Sequence, residues 1–108
     1  MRSVDRYVEA HNDAVRTGGW DAFAELFTDE AEVRFESAAI GPFHGRAAIL
    51  DAYKSRPPDD ELEIRAVREE GDRTVAEYGW AQEPGVGAGE LRLTWERDRI
   101  RELVITFE

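Results

Sequence analysis

Histidine side chains are the groups in this sequence best suited to acid–base chemistry near neutral pH, and there are two, His11 and His44. The ordinary pKa of imidazole, about 6.5, lets the ring gain or lose a proton in that range. His11 falls at helical spacing with four other residues: Val4, Tyr7, Val8 and Val15. This stripe predicts that His11 faces inward. It is then either an acid–base group or a core histidine hydrogen-bonded to a neighbour such as Tyr53.

Amphipathic aromatic side chains form the second group of interest. Each Tyr and Trp joins an apolar ring to one polar atom, which suits contact with a partly apolar ligand. We expect five aromatic residues to line a small-molecule cavity: Tyr53, Tyr78, Trp80, Trp95 and Phe107. Ordinary core packing is the alternative interpretation, and it is favoured for Trp80 and Trp95.

The direction of Glu77 has two interpretations. If Tyr78 and Trp80 face the cavity, Glu77 faces solvent. If Val75 and Gly79 face it instead, Glu77 becomes a buried carboxylate whose pKa is raised, and it is then a candidate base. The alternation along this segment leaves both open, and the first is favoured.

The sequence shows no motif typical of a metal or cofactor site. His44 lies in a Gly-Pro-Phe-His-Gly-Arg corner, and we interpret it as structural. The chain has no Cys, and the two distant His residues lack the spacing of metal ligands. The glycines at 85, 87 and 89 precede a strand pattern instead of a helix, so they do not form a phosphate-binding loop. We therefore expect no metal site and no cofactor.

Composition and charge bound the class of protein and its partners. The 108 residues suit one domain, residues 1–108, and carry 24 acidic against 14 basic side chains, a net charge of -10. Nucleic acids and anionic membranes attract clustered Lys and Arg, whereas here the Arg residues are interleaved with acids. Neither is an expected partner. No secretory signal or bilayer-length apolar segment is visible, so we expect a cytoplasmic protein.

Apolar periodicity predicts helices first and strands afterwards. Helices are expected at 3–17, 20–27 and 46–55, with a break at 28–30. Strands are expected at 31–36, 61–66, 74–80, 91–96 and 103–107. This order predicts an α+β fold with the helices on one face of a curved, antiparallel sheet. Charged residues on the outer face can pair across strands, and a solvated face is favoured over a specific binding patch there: Arg34, Glu36, Glu63, Arg65, Arg92 and Glu96.

The order of elements and three segments resemble the nuclear transport factor 2-like, or SnoaL-like, superfamily. The segments are Gly18-Gly19-Trp20-Asp21-Ala22 through Phe27, the acidic turn before Ala31-Glu32-Val33, and His44-Gly45-Arg46. The superfamily includes ketosteroid isomerases, polyketide cyclases, scytalone dehydratase and limonene epoxide hydrolase. The resemblance implies a cone, in which a strongly bent sheet surrounds a long N-terminal helix and leaves a cavity, and it implies a homodimer. The fold hosts enzymes, binding modules and transport factors, so it does not assign a function.

The ketosteroid isomerase pattern can be carried over to four positions. The aspartate that acts as general base in those enzymes falls at Phe35, and the oxyanion-hole aspartate falls near Leu91. Both residues are apolar, so the resemblance implies that this chemistry is lost and that Phe35 and Leu91 belong to the pocket wall. The oxyanion-hole tyrosine falls at His11, and a supporting tyrosine is kept as Tyr53.

Two hypotheses about function follow. In the first, the protein is a cofactor-independent isomerase, cyclase, dehydratase or hydrolase that acts on a small, largely apolar or aromatic metabolite. His11 is then the acid–base group, and Tyr53 positions it. In the second, the protein is a non-catalytic ligand-binding or protein-association module that needs no catalytic acids. True ketosteroid isomerase activity is not expected in either case.

Overall fold

A curved, six-stranded sheet and three helices make up the fold. The computed structural model describes residues 3–36 and 39–107. The helices are α1 (Val4–Thr17), α2 (Trp20–Ala24) and α3 (Arg46–Ser55). The strands are β1 (Phe27–Phe35), β2 (Phe43–His44), β3 (Leu62–Glu70), β4 (Arg73–Trp80), β5 (Gly89–Glu96) and β6 (Arg99–Ile105). The predicted α+β class is confirmed.

The sheet has the strand order β2-β1-β6-β5-β4-β3. Neighbouring strands pair antiparallel, with β1 and β6 as the parallel exception. Register shifts interrupt the pairing of β1 with β6, of β3 with β4 and of β5 with β6. Such irregularities increase local twist and bend a sheet. No helix within the described residues is long and apolar enough to cross a membrane.

The first helix has the bounds that the sequence predicts. Ser3 is its N-cap, and the Ser3 Oγ accepts a hydrogen bond from the Asp5 N–H at 3.1 Å. Gly18, in the left-handed conformation, ends the helix by donating its N–H to the Ala14 carbonyl at 2.7 Å. The side chains on its buried face are Val4, Tyr7, His11 and Ala14. The inward position predicted for His11 is therefore present.

The second helix is shorter than the sequence pattern suggests. It ends at Ala24, and the predicted break at 28–30 lies inside β1. Phe27 pairs with Ile100 of β6 instead of continuing the helix, and the Leu26 carbonyl accepts from Ile100 N at 2.7 Å. The Phe27 carbonyl accepts from Arg46 Nε at 3.1 Å and Nη2 at 2.8 Å. These long-range bonds attach residues 26 and 27 to β6 and α3, and Phe27 is the first residue of β1.

The Gly-Arg corner before α3 is a structural joint. The Gly45 N–H donates to the Ala31 carbonyl at 2.7 Å, and Arg46 Nη1 lies 3.0 Å from Asp29 Oδ1. Arg46 thus attaches α3 to Phe27 and Asp29 of β1, in the segment where the pairing of β1 with β6 shifts register. His44 is exposed beside this joint.

The two faces of the sheet differ in character. The inner face packs against the helices through buried apolar residues: Val33, Leu91, Leu93, Leu103 and Ile105. The outer face carries the charged residues, and two ion pairs span strands. Arg34 Nη2 lies 3.3 Å from Glu102 Oε2, and Arg92 Nη2 lies 3.1 Å from Glu36 Oε1. These half-exposed pairs contribute a few tenths of a kcal/mol each, about the usual value for surface pairs.

Gly89 provides a test of the sheet geometry. Its φ is +156°, and a Cβ atom there would lie 2.0 Å from the Thr106 carbonyl oxygen. We expect Gly89→Ala to lower the free energy of unfolding by more than about 2 kcal/mol, because backbone must move to relieve the overlap. The control is Gly85→Ala, whose φ is +85° with open space around it; it should cost about 1 kcal/mol. Urea denaturation measures both, and equal losses would contradict the close approach.

Candidate functional site

A cavity of about 670 Å³ lies between α1, α3 and the inner face of the sheet. Much of its wall is apolar, with Phe35, Phe43, Leu62, Leu91 and Ile105 contributed by the strands. The helices add Tyr7, His11 and Tyr53. This volume is in the range of pockets that bind small molecules, which are commonly apolar with a few polar groups.

The structure brings seven of the eight predicted site residues to this cavity: His11, Phe35, Tyr53, Tyr78, Trp80, Leu91 and Phe107. Trp95 does not line it. On β5, Trp95 lies four residues beyond Leu91, which is about 13 Å along a strand. There it is buried, and its Nε1–H donates to Thr74 Oγ1 at 2.9 Å. The core interpretation of Trp95 is the one that matches its position.

Strand β4 presents Tyr78 and not Glu77 to the cavity. Glu77 is exposed, so the alternative in which it is a buried base does not apply. Tyr78 is 1% exposed, and its hydroxyl donates to the Thr106 carbonyl at 3.1 Å. The Tyr78 hydroxyl proton is therefore already used within the protein.

The hydroxyl of Tyr53 pairs with a residue that was not among the predicted site residues. A hydrogen bond joins it to the hydroxyl of Tyr7, one helical turn before His11. Burial raises the pKa of both phenols above the ordinary value. Both are therefore neutral near pH 7. The one sequence feature that pointed to Tyr7 was its position on the same predicted inward stripe as His11.

His11 is held by Asn12 and not, as expected, by Tyr53. The His11 Nδ1 lies 3.0 Å from Asn12 Oδ1. Asn12 is itself fixed by the backbone at the start of β3, since Nδ2 donates to the Leu62 carbonyl at 3.0 Å and Oδ1 accepts from Leu62 N at 2.8 Å. Asn12 is thus the residue that orients the His11 ring. The role of Asn12 could not be predicted from the local sequence, because its partner lies 50 residues away.

The surroundings of His11 favour the neutral imidazole. Its ring centroid lies 5.7 Å from that of Trp20 and 6.0 Å from that of Phe23, and its side chain is 3% exposed. Burial lowers the pKa of His11 below its ordinary value, partly opposed by the hydrogen bond to Asn12 and the charge of Glu61. The neutral ring therefore dominates at pH 7.

The second ring nitrogen of His11 is open to the cavity. The Nε2 atom has no hydrogen-bond partner among residues 3–36 and 39–107. The same residues contain no fully buried side-chain nitrogen or oxygen without a partner. Nε2 is therefore accessible to a water-sized molecule, which reaches it from the cavity that His11 lines.

The opening of the cavity combines charged and apolar side chains. Asp51 of α3 and Arg56, which directly follows α3, are exposed where they line it, as are Ile40 and Phe107. Within the described part of the chain, no group of three or more His, Asp or Glu side chains is placed to hold a metal ion.

Replacing Asn12 tests its role in fixing α1 to β3. In Asn12→Ala the N–H and carbonyl of Leu62, a buried residue, lose their partner. We expect the free energy of unfolding to fall by about 2 kcal/mol. Asp13→Ala on the same helix, at an exposed position, is the control and should change it by less than about 0.5 kcal/mol. Denaturation curves in which the two variants are equally stable would refute this assignment.

The lowered pKa of His11 predicts a pH-dependent stability. The unfolded chain binds a proton at His11 more readily than the folded chain, so protonation favours unfolding. This destabilisation is absent well above pH 6.5 and grows as the pH falls from about 6.5 toward the lower folded-state pKa. We expect the stability of the protein relative to His11→Gln to decline between pH 7.5 and pH 5 in chemical denaturation. His44→Gln should retain the full decline, and a pH-independent difference for His11→Gln would exclude the shift.

Solved structures similar to this one share the fold across nearly the whole chain. An NTF-2-like protein of unknown function from Burkholderia xenovorans LB400 has a TM-score of 0.73 at 19% identity, covering 97% of this chain and 82% of that one. A candidate ketosteroid isomerase from Kribbella flavida DSM 17836 has a TM-score of 0.72 at 14% identity, covering 95% and 76%. A candidate polyketide cyclase from Sinorhizobium meliloti has a TM-score of 0.68 at 26% identity, covering 97% and 99%.

Comparison of sequences gives the family directly. No curated protein matches the chain at a significant level. The family profile of the SnoaL-like domain, in contrast, matches residues 8–102. This match begins within α1 and ends within β6, so it includes at least part of each described helix and strand. The chain belongs to the SnoaL-like domain family.

Proposed function

We propose that this protein binds a small, largely apolar or aromatic metabolite in the cavity and acts on it with His11 as the acid–base group. One observation carries the proposal: a neutral imidazole, oriented by Asn12, exposes a free ring nitrogen to a cavity whose wall is otherwise mostly apolar. A general base needs this combination of a fixed position, a suitable pKa and access to the substrate. The reaction needs neither a metal nor an organic cofactor.

The class of reaction is an isomerisation, cyclisation, dehydration or hydrolysis. Each of these requires a proton to be removed from the substrate, or from water in a hydrolysis, and delivered to another substrate atom, which a single imidazole can do in sequence. Two of the similar structures are described as a candidate ketosteroid isomerase and a candidate polyketide cyclase. Ketosteroid isomerisation itself is not proposed, because Phe35 and Leu91 stand where its two carboxyl groups are expected and both line the cavity.

We assign the Tyr7–Tyr53 pair a separate role in ligand binding. Tyr7 and Tyr53 both line the cavity and are neutral at pH 7 because burial raises the pKa of each. The hydrogen bond between them uses one hydroxyl proton and leaves the other for a ligand. We propose that this proton stabilises an oxygen of the ligand while His11 transfers a proton. Tyr53 then contacts the ligand and does not position His11.

A non-catalytic binding module is the second candidate function. The observation that favours it is that Phe35 and Leu91 are apolar, although the resemblance places the two catalytic aspartates of ketosteroid isomerases at these positions. In that case His11 and the tyrosines hold the ligand by hydrogen bonds, and no bond is made or broken. The two candidates differ in whether the ligand changes chemically.

Identification of a retained ligand followed by a turnover assay tests the proposal. Native mass spectrometry of the purified protein should show a bound small molecule, and this molecule should be converted on incubation with fresh protein. Turnover should fall as the pH decreases, with a midpoint below about 6.5, because the neutral imidazole is the active form. His11→Asn should reduce the rate by at least about 100-fold, the usual contribution of a general base.

His44→Asn is the matched control, since His44 is exposed and does not line the cavity. It should leave both the rate and the pH profile unchanged. Binding without conversion, at any pH, would support the binding module instead. A ligand bound equally well by a protein whose cavity is blocked by Ala52→Phe would refute both candidates, because Ala52 lines the cavity wall.

We also propose that the protein is a homodimer, which the resemblance implies, and that it is cytoplasmic, as expected from the sequence. Charged residues dominate the outer sheet face, so a dimer formed there would rest on polar contacts across the two copies. Light scattering on the purified protein measures the mass in solution.

A further inference from the structure

The side-chain amide of Asn12 has a fixed orientation. Its Nδ2 faces the Leu62 carbonyl at 3.0 Å, and its Oδ1 faces the Leu62 N–H at 2.8 Å. Rotating the amide by 180° would place N–H against N–H and oxygen against oxygen. Both hydrogen bonds would be lost, so the structure allows one orientation only.

This orientation fixes the tautomer of the neutral His11 ring. The atom 3.0 Å from His11 Nδ1 is the Asn12 oxygen, which is an acceptor and has no proton to donate. A hydrogen bond at this distance therefore requires the proton on Nδ1. The other ring nitrogen, Nε2, then carries a lone pair and acts only as an acceptor.

Among residues 3–36 and 39–107, no group donates a hydrogen bond to this lone pair. The rings nearest His11 are those of Tyr7, Trp20 and Phe23, at centroid distances of 6.2, 5.7 and 6.0 Å. Tyr78 donates its proton to the Thr106 carbonyl. The Tyr7 and Tyr53 hydroxyls bond to each other, and neither is hydrogen-bonded to His11. Nε2 has no partner within residues 3–36 and 39–107, although a ligand in the cavity can reach it.

We propose that the cavity selects ligands that carry a hydroxyl or N–H group, such as a phenol or an enol, which donates to His11 Nε2. Asn12 is the positioning residue that sets this preference, because it holds the proton on the opposite nitrogen. A ligand that presents only a carbonyl or ether oxygen to Nε2 would place two lone pairs against each other. This proposal rests on the proposed ligand-binding function and specifies the chemical class of the ligand.

The tautomer can be observed without a ligand. Long-range ¹H–¹⁵N correlation spectra separate the protonated ring nitrogen from the bare one, and the protein has two histidines, so His44→Gln assigns the signals. At pH 7.5 we expect His11 to show a protonated Nδ1 and a bare Nε2. In Asn12→Ala the restraint is absent, and the proton should move toward Nε2, the intrinsic preference of free histidine. A protonated Nε2 in the unsubstituted protein would overturn the proposal.

A matched pair of probes measures the preference itself. 2-Naphthol and 2-methoxynaphthalene share one ring system, but only the first can donate a hydrogen bond. By isothermal titration calorimetry we expect 2-naphthol to bind about tenfold more tightly, the effect of one good hydrogen bond. In His11→Phe, which cannot accept, the two affinities should differ by less than about twofold. In Asn12→Ala, if it folds, the preference should shrink or reverse.

The outcomes separate this proposal from the function on which it rests. Equal affinities for the two probes in the unsubstituted protein would refute donor selection but leave ligand binding intact. A preference for 2-naphthol that persists in His11→Phe would show that another group accepts the proton, which also refutes it. Failure of both probes to bind would contradict the proposed cavity function and the donor preference together.

Discussion

The contact between Asn12 and the backbone of Leu62 connects the first helix to the sheet and determines what the cavity contains. Strand β3 is an edge strand, because the sheet order ends with it. The outward N–H and carbonyl of Leu62 would lack a partner without the Asn12 amide, which bonds to both as a further strand would. Next to it, Arg16 Nη1 donates to Glu61 Oε1 at 2.8 Å. The helix is thereby held at the depth at which His11 lines the cavity.

The cavity persists because the sheet bends while the helices pack on one another. Register shifts in three strand pairs curve the sheet away from a flat surface. The rings of Trp20, Phe23 and Tyr53 lie 4.8–5.2 Å apart and form a rigid cluster between α1, α2 and α3. Because these large side chains contact each other, they leave the space next to the sheet unfilled. An aromatic-rich sequence therefore builds both a compact core and an open pocket.

The sequence predicts those features that depend on near neighbours. The N-cap Ser3, the left-handed Gly18 and the alternation that turns Tyr78 inward and Glu77 outward are local, and they were predicted or favoured correctly. The predicted end of α2 was wrong, because Phe27 pairs with Ile100 of β6, a contact that no local pattern contains. The partner of His11 was missed for the same reason. Alternation also cannot tell how far along a face the cavity extends, which explains the position of Trp95.

The apolar residues at Phe35 and Leu91 and the buried histidine follow from one electrostatic constraint. A carboxylate in an apolar cavity is destabilised by burial, and the net charge of -10 adds to this cost. Burial acts on an imidazole in the opposite sense, because it favours the neutral ring, which is the form that accepts a proton. An imidazole is neutral when unprotonated, so an apolar wall does not oppose the form that accepts a proton. Of the described side chains that line this cavity, His11 is the one whose ordinary pKa lies near neutral pH. In the proposed function, imidazole on the helix serves as the base where the resemblance places carboxylates on the strands.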